Sequence, residues 1–139
     1  MKEENTYRQT IPSSTTGRYT ALTRKAMRIC YAAHEGQMDK SGVPYVFHPI
    51  HLAEQMETEE EICTALLHDV VEDTKWTLKE LEAEGFPTGV LEAVRLLTRE
   101  KDVPYMAYIE RLSGNQIARK VKLADLEHNS DPVSYTHLR

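Results

Sequence analysis

The chain has 139 residues, of which 40% are hydrophobic and 28% charged, the usual balance for one globular domain with its own core. Its 17 Lys and Arg against 22 Asp and Glu give a net charge of −5, which excludes generic binding to a nucleic-acid backbone. No apolar run could span a bilayer, and the N-terminus lacks the apolar stretch of a signal peptide. We therefore expect a cytoplasmic protein with no membrane or nucleic-acid partner, in which Cys30 and Cys63 are free thiols.

The first half of the chain predicts a mobile arm, a helix, a loop and a second helix. Residues 1–17 are polar and rich in Ser and Thr, as in a flexible segment. Apolar residues then recur at helical spacing from about residue 18 to 35. Gly42 and Pro44 interrupt the next stretch as a loop. Pro49 is tolerated as a first helical residue and is predicted to begin the second helix.

Two pairs of residues have the spacing of a helix capping box, in which a Thr is followed three positions later by a Glu. Thr58 with Glu61 predicts the start of a third helix, and Thr77 with Glu80 the start of a fourth. No hairpin signal of the Asn-Gly or Asp-Gly type occurs. The sequence therefore predicts an all-α bundle of six or seven helices, with the later ones at about 58–72, 77–85, 90–97, 105–112 and 116–129.

The third predicted helix carries an acidic residue on its apolar stripe. Asp69 follows Ile62 by seven positions, so it faces the same side of the helix. A buried carboxylate is costly unless a cation compensates it, and His68 is its neighbour. Glu72 and Asp73 lie one turn further on. This grouping is typical of a metal site with catalytic carboxylates, although a helix end with solvated acids and a core histidine has the same pattern.

Two further positions offer metal ligands. His48 lies beside Pro49 at a helix start, and Asp125 is a carboxylate within an apolar run, with Asn129 four residues beyond it on the same face. Two histidines and two aspartates form a mixed nitrogen and oxygen set that suits Mn²⁺, Fe²⁺, Zn²⁺ or Mg²⁺. The absence of a thiolate in the set argues against a structural zinc site.

These residues, in this order, resemble the HD superfamily of metal-dependent phosphohydrolases. Four longer motifs are similar to the hydrolase domain of RelA/SpoT proteins, which includes stand-alone small alarmone hydrolases. They are AAHEGQ at 32–37, KSGVPY at 40–45, ALLHDVVEDT at 65–74 and KLADLEHN at 122–129. The resemblance covers about residues 20–131, so we expect residues 18–131 to form one HD-type hydrolase domain.

The resemblance implies a reaction and a set of roles. Such domains remove pyrophosphate from the ribose 3′ position of (p)ppGpp, an alarmone of the stringent response, and release GDP or GTP. The family uses one Mn²⁺. By match, the metal ligands are His48, His68, Asp69 and Asp125; the residues that activate water are Glu72 and Asp73; and the nucleotide pocket includes Lys40, Ser41 and Asn129.

The sequence departs from the family pattern in three places. Asp39 stands where the family often has a basic residue able to stack on guanine, and Leu126 and Glu127 replace Arg-Leu in the last motif. In the family a further helix follows position 131, which residues 132–139 do not resemble, so we expect an atypical tail and a bundle truncated at its C-terminus.

Two alternative functions therefore stay open. An HD phosphohydrolase for another nucleotide is favoured by Asp39, whose anionic side chain cannot stack on guanine as a cation does. A non-catalytic nucleotide-binding domain is favoured by the missing closing helix. The pair Glu72 and Asp73 argues against that second alternative, because a binding module has no need of a general base.

Overall fold

A computed structural model describes residues 18–129, so the predicted arm at 1–17 and the predicted tail at 132–139 lie outside the described residues. Within residues 18–129 the chain contains helices and no strand, with one isolated β-bridge between Met38 and Pro44. The prediction of an all-α fold is confirmed. The helices are α1 (Ala21–Ala33), α2 (Phe47–Glu54), α3 (Glu59–Leu67), α4 (Val70–Asp73), α5 (Leu78–Ala83), α6 (Thr88–Leu97), α7 (Tyr105–Ser113) and α8 (Gln116–Asn129).

Local side-chain hydrogen bonds begin several of these helices. Both predicted capping boxes are present: Thr58 accepts from the Glu61 N–H, and Thr77 accepts from the Glu80 N–H. In each pair the glutamate also accepts from the backbone of the capping threonine. Thr20 caps α1 in a similar way. Each cap satisfies an N–H group that the first helical turn leaves unpaired.

The start of α2 differs from the prediction by two residues. The helix begins at Phe47 rather than Pro49, because the Phe47 and His48 N–H groups already donate to the carbonyls of Pro44 and Tyr45. Pro49 still lies in the first turn, where its missing N–H costs nothing. As a result His48 is part of the helix rather than of the loop before it.

The third predicted helix is divided in two, so the prediction of one continuous helix from 58 to 72 is wrong. Helix α3 ends at Leu67, and the single turn α4 begins at Val70. Asp69 at the junction has a ψ angle of −2°, far from the value of about −42° that an α-helix requires. The apolar stripe of α3 therefore does not continue to Asp69, and its side chain stays 19% exposed.

Helix α3 is the centre of the bundle and packs against α1, α2, α6 and α8. Every residue from Ile62 to Leu67 is buried, as expected for a helix that is enclosed on all sides. Cys30 on α1 and Cys63 on α3 are buried free thiols, and burial raises the pKa of each to about 12. Among the helices of residues 18–129, none has the length and apolar character needed to cross a bilayer.

Candidate metal centre

Three predicted metal ligands converge although they lie on separate elements. His48 is in the first turn of α2, His68 follows the end of α3, and Asp125 is in α8. One ligand atom from each lies within 4.8 Å of the others. Asp125 Oδ1 is 2.7 Å from His48 Nε2 and 3.7 Å from His68 Nε2. The packing of α3 against α2 and α8 brings the three together.

The hydrogen bonding of His68 matches that of a metal ligand. Its Nδ1 lies 2.7 Å from the Ala65 carbonyl oxygen, which can only accept, so Nδ1 carries the hydrogen. Its Nε2 is buried and has no partner with hydrogen-bond geometry among residues 18–129. In metal-binding histidines the second ring nitrogen is commonly fixed by a carbonyl in this way. The residues at this site therefore fit a divalent cation.

Asp69 lies between the cluster of His48, His68 and Asp125 and a second cluster, which consists of carboxylates. Its Oδ2 lies 3.0 Å from His68 Nε2, and it also accepts a hydrogen bond from the Tyr45 hydroxyl. Asp69 further forms a cluster with Glu72 and Asp73, in which one carboxylate oxygen of each lies within 4.8 Å of the others. The predicted metal ligands and the predicted catalytic carboxylates are thus contiguous, with Asp69 between them.

Electrostatics at the centre favour a positive charge beside His68 Nε2. Burial lowers the pKa of His68, but Asp69 and Asp125 outweigh burial and raise it well above its usual value. Burial likewise raises the pKa of Asp69, while His68 and Tyr45 lower it to about 2. Burial also raises the pKa of Asp125, but His48 and His68 outweigh burial and hold that pKa far below its usual range. Both carboxylates are therefore ionised at neutral pH, and either a proton or a metal cation can balance them.

Glu72 and Asp73 lie at the exposed edge of the centre, where water can reach them. Glu72 Oε1 accepts a hydrogen bond of 2.6 Å from the Arg99 N–H, which ties α4 to the segment after α6. Burial, with the charge of Asp69, raises the pKa of both carboxyl groups. A raised pKa makes a carboxylate a stronger base, provided that it is ionised at the working pH.

Three residues that contact the ligands were not predicted from the sequence to support them. Lys122 Nζ is 3.2 Å from Asp125 Oδ2 and lies three residues before it on α8. The rings of His128 and His48 are stacked, with their Nδ1 atoms 2.6 Å apart. The contact of Lys122 with Asp125 could have been predicted, because residues three positions apart lie on the same face of a helix. The contact of Tyr45 with Asp69 could not be predicted from spacing, because 24 residues separate the two.

Of the three residues predicted to line the nucleotide pocket, one lies at the candidate metal centre and two lie on a loop. Asn129 joins the centre, where its Nδ2 donates to Asp125 Oδ1 at 3.1 Å. Lys40 and Ser41 lie on the exposed loop between α1 and α2, and no contact of their side chains with the centre is seen within residues 18–129. Asp39 accepts hydrogen bonds from the Ser41 and Val43 N–H groups, at 2.8 and 2.9 Å. Its carboxylate therefore holds this loop together.

Comparison with known proteins decides the family. A sequence model of the HD domain matches residues 26–127, which is most of the chain. The chain belongs to the HD domain family. The predicted resemblance to RelA/SpoT hydrolases is confirmed as well, because relatives of this HD domain carry the names of such enzymes.

Two relatives differ in how much of their own length this chain matches. The Danio rerio guanosine-3′,5′-bis(diphosphate) 3′-pyrophosphohydrolase is 36% identical over 124 residues, which cover 79% of this chain and 68% of that protein. The bifunctional (p)ppGpp synthase/hydrolase SpoT of Escherichia coli is 35% identical over 121 residues, which cover 76% of this chain. The chain spans only 17% of the length of that bacterial protein.

A solved structure has the same fold. It is the structure of a metazoan ortholog of SpoT that hydrolyses ppGpp and plays a role in starvation responses. The TM-score is 0.68 at 28% identity, and the match covers 79% of this chain and 68% of that one. An HD domain implies a divalent metal, and the cluster of His48, His68 and Asp125 supplies a suitable set of ligands.

Proposed function

We propose that this HD domain hydrolyses the 3′-pyrophosphate of (p)ppGpp and releases GDP or GTP and pyrophosphate, with Mn²⁺ as its metal. The observation that carries the proposal is the junction at Asp69 between a His/His/Asp cluster and an acidic cluster. Metal-dependent hydrolysis of a phosphoric ester uses both parts: a site for a cation, and a carboxylate that does not bind the cation and can act as a base. The names of the relatives supply the substrate class.

In this proposal His48, His68, Asp69 and Asp125 hold the metal. When bound, a divalent cation acidifies water and neutralises the negative charge that develops on phosphoryl oxygens. The ring of His68 is oriented by the Ala65 carbonyl, so its Nε2 lone pair faces the centre. Asp125 is held in place by Lys122 and Asn129. The mixed nitrogen and oxygen donors suit Mn²⁺.

Glu72 and Asp73 act on the attacking water. One of the two carboxylates takes a proton as the water oxygen bonds to the phosphorus attached to the ribose 3′ oxygen. The bond between that phosphorus and the 3′ oxygen breaks, and the 3′ oxygen leaves as the free hydroxyl after taking a proton from solvent water, while the carboxyl group returns to solvent the proton that it took from the attacking water. The hydrogen bond from the Arg99 N–H orients Glu72 while leaving its second oxygen able to contact water.

The nucleotide contacts in this proposal come from Lys40, Ser41 and Asn129. The compact ammonium group of Lys40 offsets the charge of a diphosphate. Asn129 donates to Asp125 through Nδ2, so its amide oxygen is the atom that meets the substrate. The loop that carries Lys40 and Ser41 is shaped by Asp39 and by Gly42, which has a positive φ angle of 84°.

The test is a panel of nucleotides incubated with the purified chain and Mn²⁺, with product analysis. We expect ppGpp and pppGpp to give GDP and GTP with stoichiometric pyrophosphate, and Asp125→Asn to be inactive. Turnover of another nucleotide in place of these two would indicate the alternative HD phosphohydrolase. Metal binding without turnover of any nucleotide would indicate the non-catalytic domain.

The hydrogen bonds of Asp39 lead to a separate prediction about substrate affinity. From the family resemblance alone, Asp39→Arg would be expected to tighten ppGpp binding by stacking on guanine, but Asp39 also bonds to the backbone of its own loop. Asp39→Arg and Asp39→Ala both remove the acceptor for the Ser41 and Val43 N–H groups. We expect each to raise KM for ppGpp by up to about tenfold with kcat little changed, since uniform binding is lost. Asp39→Asn, which keeps an acceptor oxygen, is the control, and a lower KM for Asp39→Arg would instead place this side chain beside the base.

A further inference from the structure

His128 contacts a proposed metal ligand, and the chemistry above gives it no role. It lies on α8, three residues after Asp125, so its side chain is on the same face of that helix. Its Nδ1 lies 2.6 Å from Nδ1 of His48, which is on α2. The two histidines are 80 residues apart in the chain, so this contact depends on the packing of α8 against α2.

Two histidines of α2 hold the His128 ring in place. Its centroid lies 4.7 Å from that of His48 and 4.6 Å from that of His51, one turn further along α2. The planes of the His48 and His128 rings differ by 24°. The two Nδ1 atoms are much closer than the two centroids, so the rings are offset and approach each other through their nitrogen-bearing edges. A hydrogen bond between two imidazoles needs this approach, because the N–H and the lone pair lie in the ring planes.

Only one direction of this hydrogen bond is compatible with a metal at His48. The Nε2 atom of His48 faces the cluster, 2.7 Å from Asp125 Oδ1, so Nε2 is the nitrogen placed to bind a cation. A nitrogen that binds a metal uses its lone pair, so the hydrogen of the neutral His48 ring is then on Nδ1. Nδ1 of His128 must therefore accept, and the hydrogen of the neutral His128 ring is on Nε2.

We propose that His128 is a positioning residue for metal binding, which accepts a hydrogen bond from His48 Nδ1 and so holds His48 Nε2 toward the cation. The other histidine of the cluster has an equivalent partner, the Ala65 carbonyl that faces His68 Nδ1. A partner of this kind fixes both the tautomer and the orientation of a metal-binding ring. The inference rests on the proposed function, in which His48 is a metal ligand.

The Mn²⁺ affinity of His128 variants tests the role. His128→Phe keeps a planar ring beside His48 and His51 but has no acceptor nitrogen. We expect it to raise Kd for Mn²⁺ by about 10–100-fold, the usual cost of losing such a partner, and we expect excess Mn²⁺ to restore turnover of ppGpp. His128→Asn places a carbonyl oxygen near the position of Nδ1 and is expected to recover part of the affinity. Calorimetric titration of Mn²⁺ into each metal-free variant measures these values.

His51→Phe is the matched control. His51 packs against the same His128 ring, but within residues 18–129 no hydrogen bond joins it to His128 or to a proposed ligand. We expect its Kd for Mn²⁺ to stay within about twofold of wild type, as for an ordinary surface substitution. Because His128 is exposed, its variants are expected to fold, and thermal melting of the metal-free proteins checks this.

NMR of nitrogen-labelled histidines in the wild-type chain gives a readout independent of activity. Zn²⁺ replaces Mn²⁺ in this measurement, because Mn²⁺ is paramagnetic and broadens nearby signals, whereas Zn²⁺ has a filled d shell and accepts the same donor types. In the Zn²⁺-bound chain we expect a hydrogen on Nδ1 of His48 and on Nε2 of His128. Nδ1 of His128 is expected to have the shift of an unprotonated nitrogen.

Four results would each overturn the inference: wild-type Mn²⁺ affinity in His128→Phe, an equal loss of affinity in His51→Phe, no recovery in His128→Asn, or a hydrogen on Nδ1 of His128 in the Zn²⁺-bound chain. If the wild-type chain binds neither ion, the proposed metal centre has failed and this inference falls with it. If the chain binds Mn²⁺ but does not hydrolyse ppGpp, the proposed function fails, whereas the affinities and the NMR shifts still decide the role of His128.

Discussion

At least one of Glu72→Gln and Asp73→Asn is expected to lower kcat for ppGpp by about 10²–10⁴-fold, the range of general-base catalysis, while the Mn²⁺ stoichiometry stays near wild type. Each substitution keeps the shape and hydrogen bonding of the side chain and removes the base. The two residues lie one turn beyond His68 and Asp69, on α4, and in the proposed function they act on water and do not bind the metal. Turnover and metal content are measured on the same preparation.

The control for this prediction is an exposed glutamate on another helix. Glu80→Gln changes an exposed glutamate that caps α5 and lies outside the acidic cluster, and it is expected to leave kcat unchanged. If both Glu72→Gln and Asp73→Asn turn over ppGpp at the wild-type rate, the pair is solvated and not catalytic. If both lose the metal, they are ligands or support the ligands, and the division of roles at Asp69 is wrong.

The second large effect is expected for His68→Ala, which should abolish stoichiometric Mn²⁺ binding and also lower stability. His68 supplies the unpaired Nε2 of the cluster. Its removal leaves Asp69 and Asp125 with less compensation for their charge, and loss of one partner of a buried ion pair costs about 3 kcal/mol or more. Lys122 and Tyr45 retain their contacts with the two carboxylates, so we expect a folded protein with a lower Tm.

Elemental analysis after incubation with Mn²⁺, together with thermal melting with and without the ion, measures both parts of this prediction. Wild-type protein should hold one ion per chain and melt at a higher temperature when Mn²⁺ is added, because a ligand that binds only the folded state stabilises it. His51→Ala, at a half-exposed histidine on α2, should behave as wild type. A wild-type stoichiometry near zero with unchanged melting would refute the metal site.

In the proposed function an acidic chain must bind a polyanion, and the proposed ligand set accounts for this. The net charge of −5 describes the whole chain, whereas the centre combines two histidines, a candidate metal site and the partly buried ammonium of Lys122. Burial lowers the pKa of Lys122, but Tyr108 and Asp125 outweigh burial and raise it above the usual value, so Lys122 stays charged. A bound divalent ion is the largest local charge in such a site and determines the field there.

Short-range features of this protein could be predicted from its sequence. The capping boxes at Thr58 and Thr77 join residues three positions apart, so their hydrogen bonds depend on local backbone alone. The start of α8 at Gln116 follows from the spacing of its apolar residues and matches the prediction. The sequence motifs also identified the histidines and aspartates that the structure brings together, because the chemistry of metal ligation restricts the residue types.

Long-range features were decided by tertiary packing. His48 and Asp125 are 77 residues apart, and they meet because α2 and α8 pack against the same central helix. The break after Leu67, which turns Asp69 out of the apolar stripe and toward Tyr45, has no signal in a sequence whose periodicity runs on unbroken. The unpaired Nε2 of His34 likewise depends on how the loop around Gln37 folds back on α1. Periodicity specifies which face of a helix is apolar, whereas the angles and loops that set one helix against another depend on contacts summed over the whole core.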